Sequence, residues 1–403
     1  MNPNLVVDRD ALLHNLRTVQ ALARGHGVAV SLVVKGLAGH KELVRYLVEN
    51  GADSICDTRV QNLAGFEDIP AEKWLIRSPL ISEAGGVLRY ADVSLVSEMS
   101  VLEQLSEAAA CLNMKHKVVL MLELGELREG CMPDELLPLC EAASSLPGLE
   151  LYGVGTNFSC FNEIVPDEQN MAMLGDAAKG IERALGLRLP VISGGNSSSV
   201  KMLAEGRLPA FVNHLRIGEA VLLGNIPCYD EPYEGARTDA FTLNAEVIEV
   251  KEKPSLPWGE RAPGALPVSL DPAYKNRPSS FAIKDEIWKL PASMDPSSKD
   301  RGRGIRKRAR SVEAELAASD FAQSDRGIRK RALIALGKLD VSAEDLIPLD
   351  PGLEILGGTS DCLITDVTGS DIEYIPGGVV SFRLRYSGLA SAMASPYIEK
   401  TIV

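Results

Sequence analysis

The chain has 403 residues, 45% of them hydrophobic and 24% charged, with a formal net charge of −13. That length predicts two domains around large cores, and the composition is that of an ordinary globular protein; the acidic balance excludes nucleic acid as the main partner and leaves a small molecule or another protein. The seven cysteines (Cys56, Cys111, Cys131, Cys140, Cys160, Cys228 and Cys362) form no CxxC pair, and no stretch has the length and apolarity of a membrane span, so a cytoplasmic protein without disulfides, zinc ribbon or membrane partner is expected.

Residues 8–24 carry Leu12, Leu13, Leu16, Val19 and Leu22 at helical spacing and predict an amphipathic helix. The run 28–34, VAVSLVV, is apolar and β-branched, as in a strand buried on both faces, and it ends on Lys35 and Gly36. A helix over 41–50 follows, stopped by Gly51. Short apolar runs at 54–57, 74–77, 93–96, 118–124, 149–154, 191–193 and 214–223 read as strands, separated by helix-forming stretches, the clearest at 99–111, 134–144 and 169–185. About eight strand–helix alternations predict an α/β fold, an N-terminal (β/α)8 TIM-type barrel over residues 1–230. Residues 231–403 turn short and β-rich, at 242–251, 353–366 and 379–386, and predict a C-terminal mainly-β domain. An irregular insertion at about 262–324 interrupts it, rich in Pro, Ser and charge; DRGRGIRKRAR at 300–310 is nearly repeated by SDRGIRKRAL at 324–333. The insertion reads as a surface segment with a duplicated stretch, or as an arm that docks an anion or a partner.

In such barrels the chemistry sits at the C-terminal ends of the strands. The polar punctuation falls there: Lys35, residues 123–128, Thr156 and Asn157, the GGNSSS run at 194–199, and Arg216. An ammonium does not belong in a barrel core. At a strand end, however, its stem packs while its nitrogen faces a cavity as nucleophile or base, or else it snorkels into solvent. A serine run ahead of a helix is either a phosphate cradle or an ordinary cap.

VVKG at 33–36, ELREG at 126–130, GVGTNFSCF at 153–161, SGGNSSS at 193–199, LRIGEAVLLG at 215–224, GIRKRAL at 327–333 and SDCLITDV at 360–367 occur in an order and spacing that resemble the alanine racemase family of pyridoxal phosphate enzymes, in particular its ornithine racemase branch. The resemblance implies that Lys35 bonds pyridoxal 5'-phosphate and acts as base on one face of the substrate. It implies a phosphate cup of Ser197, Gly218 and Glu219, and an arginine, Arg216, facing the pyridine nitrogen, although a barrel-rim ion pair is the alternative for Arg216. Arg128 matches the arginine beside the substrate carboxylate, or belongs to a surface charge cluster. Asn157 replaces a ring-facing histidine and is expected to hydrogen-bond the cofactor, or is a turn residue. Gly39 stands where the family has a phosphate-binding tyrosine, so that contact is missing or comes from His40.

In the family a tyrosine from the partner subunit's β domain serves the opposite face. Lys338, in LGKLDV at 336–341, takes its position, either as the second base or as a solvated lysine; Tyr386 and Tyr397 are further candidates. GGTSDC at 357–362 is similar to the GPTCD motif of basic amino-acid decarboxylases on the same fold, with Ser360 in place of the acid cysteine. Asp361 is retained, either aimed at the substrate's distal ammonium or as a turn residue. The implied protein is a homodimeric racemase of a basic amino acid, best ornithine, with its active site at the interface. Two alternatives are a decarboxylase and a cofactor-binding protein without racemase activity. A metal-assisted D-threonine aldolase or D-serine dehydratase is disfavoured, because all five histidines precede the β domain, and no metal is expected.

Overall fold

The computed structural model describes residues 3–259 and 325–403. The insertion expected at 262–324, with the first copy of its repeat, lies outside the described residues. The chain divides into one unit of Met1–Ala245, Asp345–Ile347 and Ser381–Val403 and a second of Glu246–Glu344 and Pro348–Val380. The first unit thus takes in the last stretch of a region that the sequence assigns as a whole, 231–403, to the β domain.

The first unit is a closed barrel of eight parallel strands: Ala29–Val33, Ser54–Asp57, Glu72–Leu75, Val93–Val96, His116–Met121, Leu149–Thr156, Val191–Gly194 and His214–Ile217. The last strand closes on the first, with Ala29 opposite His214 and Leu32 opposite Ile217. These runs lack polar alternation because both faces are covered. Inside, Val33, Cys56, Trp74, Val93, Leu95, Val119, Met121 and Val191 form one buried cluster. Outside, helices such as Arg9–Arg24 pack their apolar stripe inward; Asp8 caps that helix by accepting the Ala11 N–H at 2.9 Å. Among the described residues no helix is long and apolar enough to cross a membrane.

Some expected boundaries move. The run 214–223 is not one strand: it ends at Ile217, breaks at Gly218 (φ −121°, ψ −74°) and turns into the short helix Glu219–Leu222. A continuous apolar run fits a buried strand and a buried helix alike, so periodicity does not separate them. The strand predicted over 118–124 runs instead from His116 to Met121. The strand Asn4–Val7 carries no period signal of its own and is held by partners distant in sequence, antiparallel to Phe241–Asn244 and parallel to Glu399–Ile402.

The second unit is an antiparallel sheet. The far end of the strand Phe241–Pro254 pairs with Ile328–Ile334, that strand with Leu363–Asp366, and the latter with Glu354–Gly358. The β-rich stretch 353–366 is therefore a hairpin. Ala332, Ile334, Leu336 and Leu363 are buried in it.

Candidate active site

Strand Ala29–Val33 stops one residue short of Val34, and Lys35 opens a single 3-10 turn, Lys35–Leu37, closed by Ala38 in the left-handed region. The lysine thereby stands just above the C-terminal rim, in a cavity of about 510 Å3 lined also by Arg128, Asn157, Ser197, Arg216, Gly218, Glu219 and Tyr386. That volume suits a small organic ligand. Seven of the nine site residues proposed from the sequence thus share one cavity.

The cradle side is built by two neighbouring strand ends. After Val191–Gly194 the chain turns through Gly195 (φ +109°), where a Cβ would meet Ser199 Oγ at 2.7 Å, and Asn196 caps the serine turn by accepting the Ser198 N–H at 2.9 Å. This delivers the Ser197 hydroxyl to the next strand end, where it accepts the backbone N–H groups of Gly218 (3.2 Å) and Ala220 (3.1 Å). Gly218 is required by packing: a Cβ would approach Val33 Cβ to 3.0 Å. Opposite, the Tyr386 hydroxyl is buried without a hydrogen-bond partner, and a Cβ on Gly36 would lie 3.2 Å from it. The Lys35 ammonium lies 5.8 Å from the centre of the Tyr386 ring.

Arg216 is 3% exposed. Its guanidinium donates to the Ser193 hydroxyl and, at 2.7 Å, to the Thr156 carbonyl. Below it a relay crosses the barrel floor: Ser193 Oγ lies 2.9 Å from His214 Nδ1, His214 Nε2 lies 2.8 Å from Ser31 Oγ, and Ser31 lies 2.7 Å from Ser54 Oγ. His214 also stacks on Trp74 at 4.6 Å. Burial, reinforced by Arg216, pushes His214 down to about 3. Burial alone holds His116, on another strand, down to about 4. Burial likewise raises the Glu219 carboxyl, to about 7, against opposing help from Asn225, Lys35 and Arg385 and with reinforcement from Asp230. It pushes the Tyr386 phenol above the ordinary tyrosine range.

Glu126, 2% exposed, is the chief anchor of the far rim. Its carboxylate accepts backbone N–H groups from Ser159 (2.9 Å), Cys160 (2.7 Å), Phe161, Asn162 (2.8 Å) and Ile164 (3.2 Å). This fixes a loop that places Cys160 in the cavity, with the Asn157 amide 3.2 Å from its sulfur. Asn157 also accepts from the Asn196 amide at 3.0 Å. The Arg128 guanidinium is engaged side-on by its neighbour Glu129.

Lys338 and Asp361 lie together in the second unit. The Lys338 N–H donates to Thr359 O at 3.0 Å, Asp361 accepts from the Thr359 hydroxyl at 3.0 Å, and a Cβ on Gly337 would strike the Asp361 backbone at 2.4 Å. His40 is not at the cavity wall: it caps the helix Lys41–Glu49. Gly39 takes φ +82°, where a Cβ would sit 2.8 Å from Asn62 Oδ1, so no tyrosine fits there without rearrangement. Tyr397 is 73% exposed. Sequence reasoning did not single out Arg77, Glu126, Glu129 and Cys160 as cavity or rim residues, although ELREG contains Glu126 and Glu129 and GVGTNFSCF contains Cys160.

A closed barrel whose strand ends gather a lysine, a serine–glycine cradle and a buried arginine around one cavity defines a (β/α)8-barrel enzyme working on a small molecule. Residues 7–225 match the family model "Alanine racemase, N-terminal domain". The chain is 33% identical to the ornithine racemase of Acetoanaerobium sticklandii over the whole of both chains, and 30% identical to the lysine racemase of Thermotoga maritima over 99% of this chain and 98% of that one. The crystal structure of alanine racemase from Bartonella henselae with covalently bound pyridoxal phosphate superposes with a TM-score of 0.66 over 100% of both chains, at 15% identity. The chain belongs to the alanine racemase family and is an enzyme of the amino-acid racemase class.

Proposed function

We propose that the protein is a pyridoxal 5'-phosphate-dependent racemase of a basic amino acid, ornithine being the preferred substrate, and that it acts as a homodimer. The observation that carries this reading is the single cavity in which Lys35 faces the Ser197–Gly218 cradle and Arg216. The overall likeness to an ornithine and a lysine racemase supports the substrate class.

The residues fit the cofactor. Tyr386 has a buried hydroxyl with no partner, raised in pKa and thus held as a donor, which suits a phosphate oxygen better than it suits a base. The Ser197 hydroxyl, oriented by the Gly218 and Ala220 N–H groups that it accepts, keeps its own proton and adds a further donor. Arg216 would face the ring nitrogen, and a guanidinium does not readily yield its proton, so that nitrogen would stay unprotonated. When bound, the cofactor supplies the electron sink that lets an α-proton leave.

Lys35 would hold the cofactor and then take and return the α-proton on its own face. The loop anchored by Glu126 supplies Ser159 and Cys160 to the far rim of the cavity. Lys338 and Asp361 are proposed, by the family's arrangement, to serve the opposite-face proton and the distal ammonium at the dimer interface.

The test is to record the visible absorbance of purified wild type and Lys35→Ala, then to incubate wild type with L-ornithine in deuterium oxide. A yellow wild type, a colourless variant and D-ornithine carrying deuterium at Cα are expected. A yellow protein that labels alanine but neither ornithine nor lysine would overturn the substrate, and absence of bound cofactor after reconstitution would overturn the whole reading.

A further inference from the structure

Asp57 ends the second barrel strand, Ser54–Asp57, and is fully buried. Its Oδ1 accepts the Arg59 N–H at 2.9 Å, and the Asn62 amide reaches Oδ1 at 3.1 Å and Oδ2 at 3.2 Å. Every one of these groups is a donor. A proton on Asp57 would find no acceptor among them, so the arrangement suits a carboxylate. Yet among the described residues no ion pair compensates it, and a buried charge without a partner is costly. The strand register brings Lys35 to it. Val33 stands opposite Cys56 on the parallel neighbour, and the Val34 N–H donates to Cys56 O at 2.8 Å, so the lysine leaves its strand beside the end of Ser54–Asp57. Thr58, next after Asp57, lines the same cavity as Lys35. Burial raises the Asp57 carboxyl; the Arg59 N–H, the Asn62 amide, the Thr58 N–H and the charge of Lys35 oppose the rise. On its other flank Asp57 adjoins the strand Glu72–Leu75, after which Arg77 is paired with Glu83. The last barrel strand with its short helix, and the helix Tyr386–Ala394, present Arg216, Glu219 and Tyr386 to the cavity. Burial pushes the Glu219 carboxyl up to about 7 and the Tyr386 phenol above the ordinary tyrosine range, so neither is a constant anion near neutral pH.

We propose that Asp57 is the fixed counter-charge of Lys35, a positioning residue that favours the lysine nitrogen as ammonium when it takes up the substrate's α-proton. A charge already seated and hydrogen-bonded need not reorganise as the proton arrives. It acts through the wall and not by contact, so Asp57 needs no opening to the cavity. A turn residue alone would need only an acceptor for the Arg59 N–H, which an amide or a hydroxyl also supplies. The part played in proton uptake rests on the racemase reading; the charge relation between Asp57 and Lys35 does not.

The test is competitive labelling of the cofactor-free protein with trace acetic anhydride, a neutral reagent that attacks only the unprotonated amine, over neutral to alkaline pH. Lys35 is read by peptide mass against Lys115, which is exposed at the opposite end of the barrel, ahead of the strand His116–Met121. Asp57→Asn and Asp57→Ser both keep an acceptor for the Arg59 N–H and lose the charge, so a folding defect in one does not decide the matter. In either, the pH of half-maximal Lys35 labelling is expected to fall by about half a unit or more, with that of Lys115 unmoved. Greater access alone would raise the extent of labelling and leave that midpoint in place. In the loaded enzyme kcat for L-ornithine is expected to fall by at least about tenfold with KM little changed. An unmoved midpoint in both variants would overturn the proposal, even with kcat lost, because Asp57 would then be a turn residue. A lower midpoint with kcat intact would overturn its part in proton uptake. If the midpoint falls while the wild type does not racemise ornithine, the counter-charge stands and the substrate reading falls.

Discussion

Arg216 and His214, two residues apart on one barrel strand, meet on the same hydroxyl: Ser193 Oγ accepts from the guanidinium and lies 2.9 Å from His214 Nδ1. The contact fixes proton positions. Because Arg216 only donates, the Ser193 proton is free to point at Nδ1; His214 then carries its own proton on Nε2, directed at Ser31, which passes its proton toward Ser54. Burial keeps the imidazole neutral, so of the two groups that meet on Ser193 only the arginine is a cation.

That neutrality has an acid cost. His214 and His116 are held down to about 3 and about 4 by burial, while unfolded histidine titrates near about 6.5. Below that pH the unfolded chain binds more protons than the native one, so stability declines as pH falls from about 6.5 through about 4, by about 1.4 kcal/mol per pH unit for each histidine. Urea unfolding at about pH 7.5, 6 and 5 is expected to show this slope. Glu219, whose carboxyl burial raises to about 7, works in the opposite sense over this range, so His116→Gln, which keeps a donor toward Ser94, is expected to lower the net slope by about 1.4 kcal/mol per pH unit; an unchanged slope would refute the assignment.

Glu219 sets a second pH dependence. Burial pushes its carboxyl up to about 7, with Lys35 and Arg385 opposing and Asp230 reinforcing the rise, and the Tyr386 phenol nearby. Deprotonation adds a negative charge beside the proposed phosphate site. Affinity of the cofactor-free protein for pyridoxal phosphate, followed by fluorescence, is expected to fall by about tenfold as pH rises from 6 to 8, a cost of about 1.4 kcal/mol. Glu219→Gln is expected to flatten the profile, and a steep profile in that variant would place the titrating group elsewhere.

The loop at 159–164 hangs on one carboxylate. Glu126→Ala leaves five backbone N–H groups without their acceptor, and is expected to cost about 2–4 kcal/mol of stability and to lower kcat/KM by at least about a hundredfold. Limited proteolysis is expected to cut the variant within the loop first. Resistance equal to wild type would show that the loop stands by other means.

Cys160 reports on occupancy. Of the seven thiols, Cys111 and Cys160 are exposed, whereas Cys56, Cys131 and Cys140 are buried. N-ethylmaleimide is expected to modify the exposed pair first, and saturating ornithine to protect Cys160 while sparing the reactivity of Cys111, read by peptide mass. Equal protection of both, or of neither, contradicts the placement of substrate in the Lys35 cavity.

The barrel was legible because its strands are apolar runs interrupted by polar residues, and the interruptions at Lys35, Ser197 and Arg216 are cavity residues. What escaped has a common physical cause. Glu126 acts through backbone N–H groups, which any sequence has, and Arg77 looks like one more rim charge. The break at Gly218 was hidden because Glu219–Leu222 is as apolar as the strand before it. Tyr386 was named as a candidate but had no place, because proximity between the turn after the first barrel strand and the helix Tyr386–Ala394 leaves no local pattern.

Tyr386 belongs to the same unit as Lys35, yet the whole second unit is written between them in the gene. During synthesis the barrel strands emerge first, and the cavity they frame lacks this wall until the intervening sheet has been made. Completion of the proposed cofactor site is thereby postponed to the closing stage of translation. A message interrupted between the two residues would yield a chain with the lysine but without the phenol, and so without that wall of the cavity.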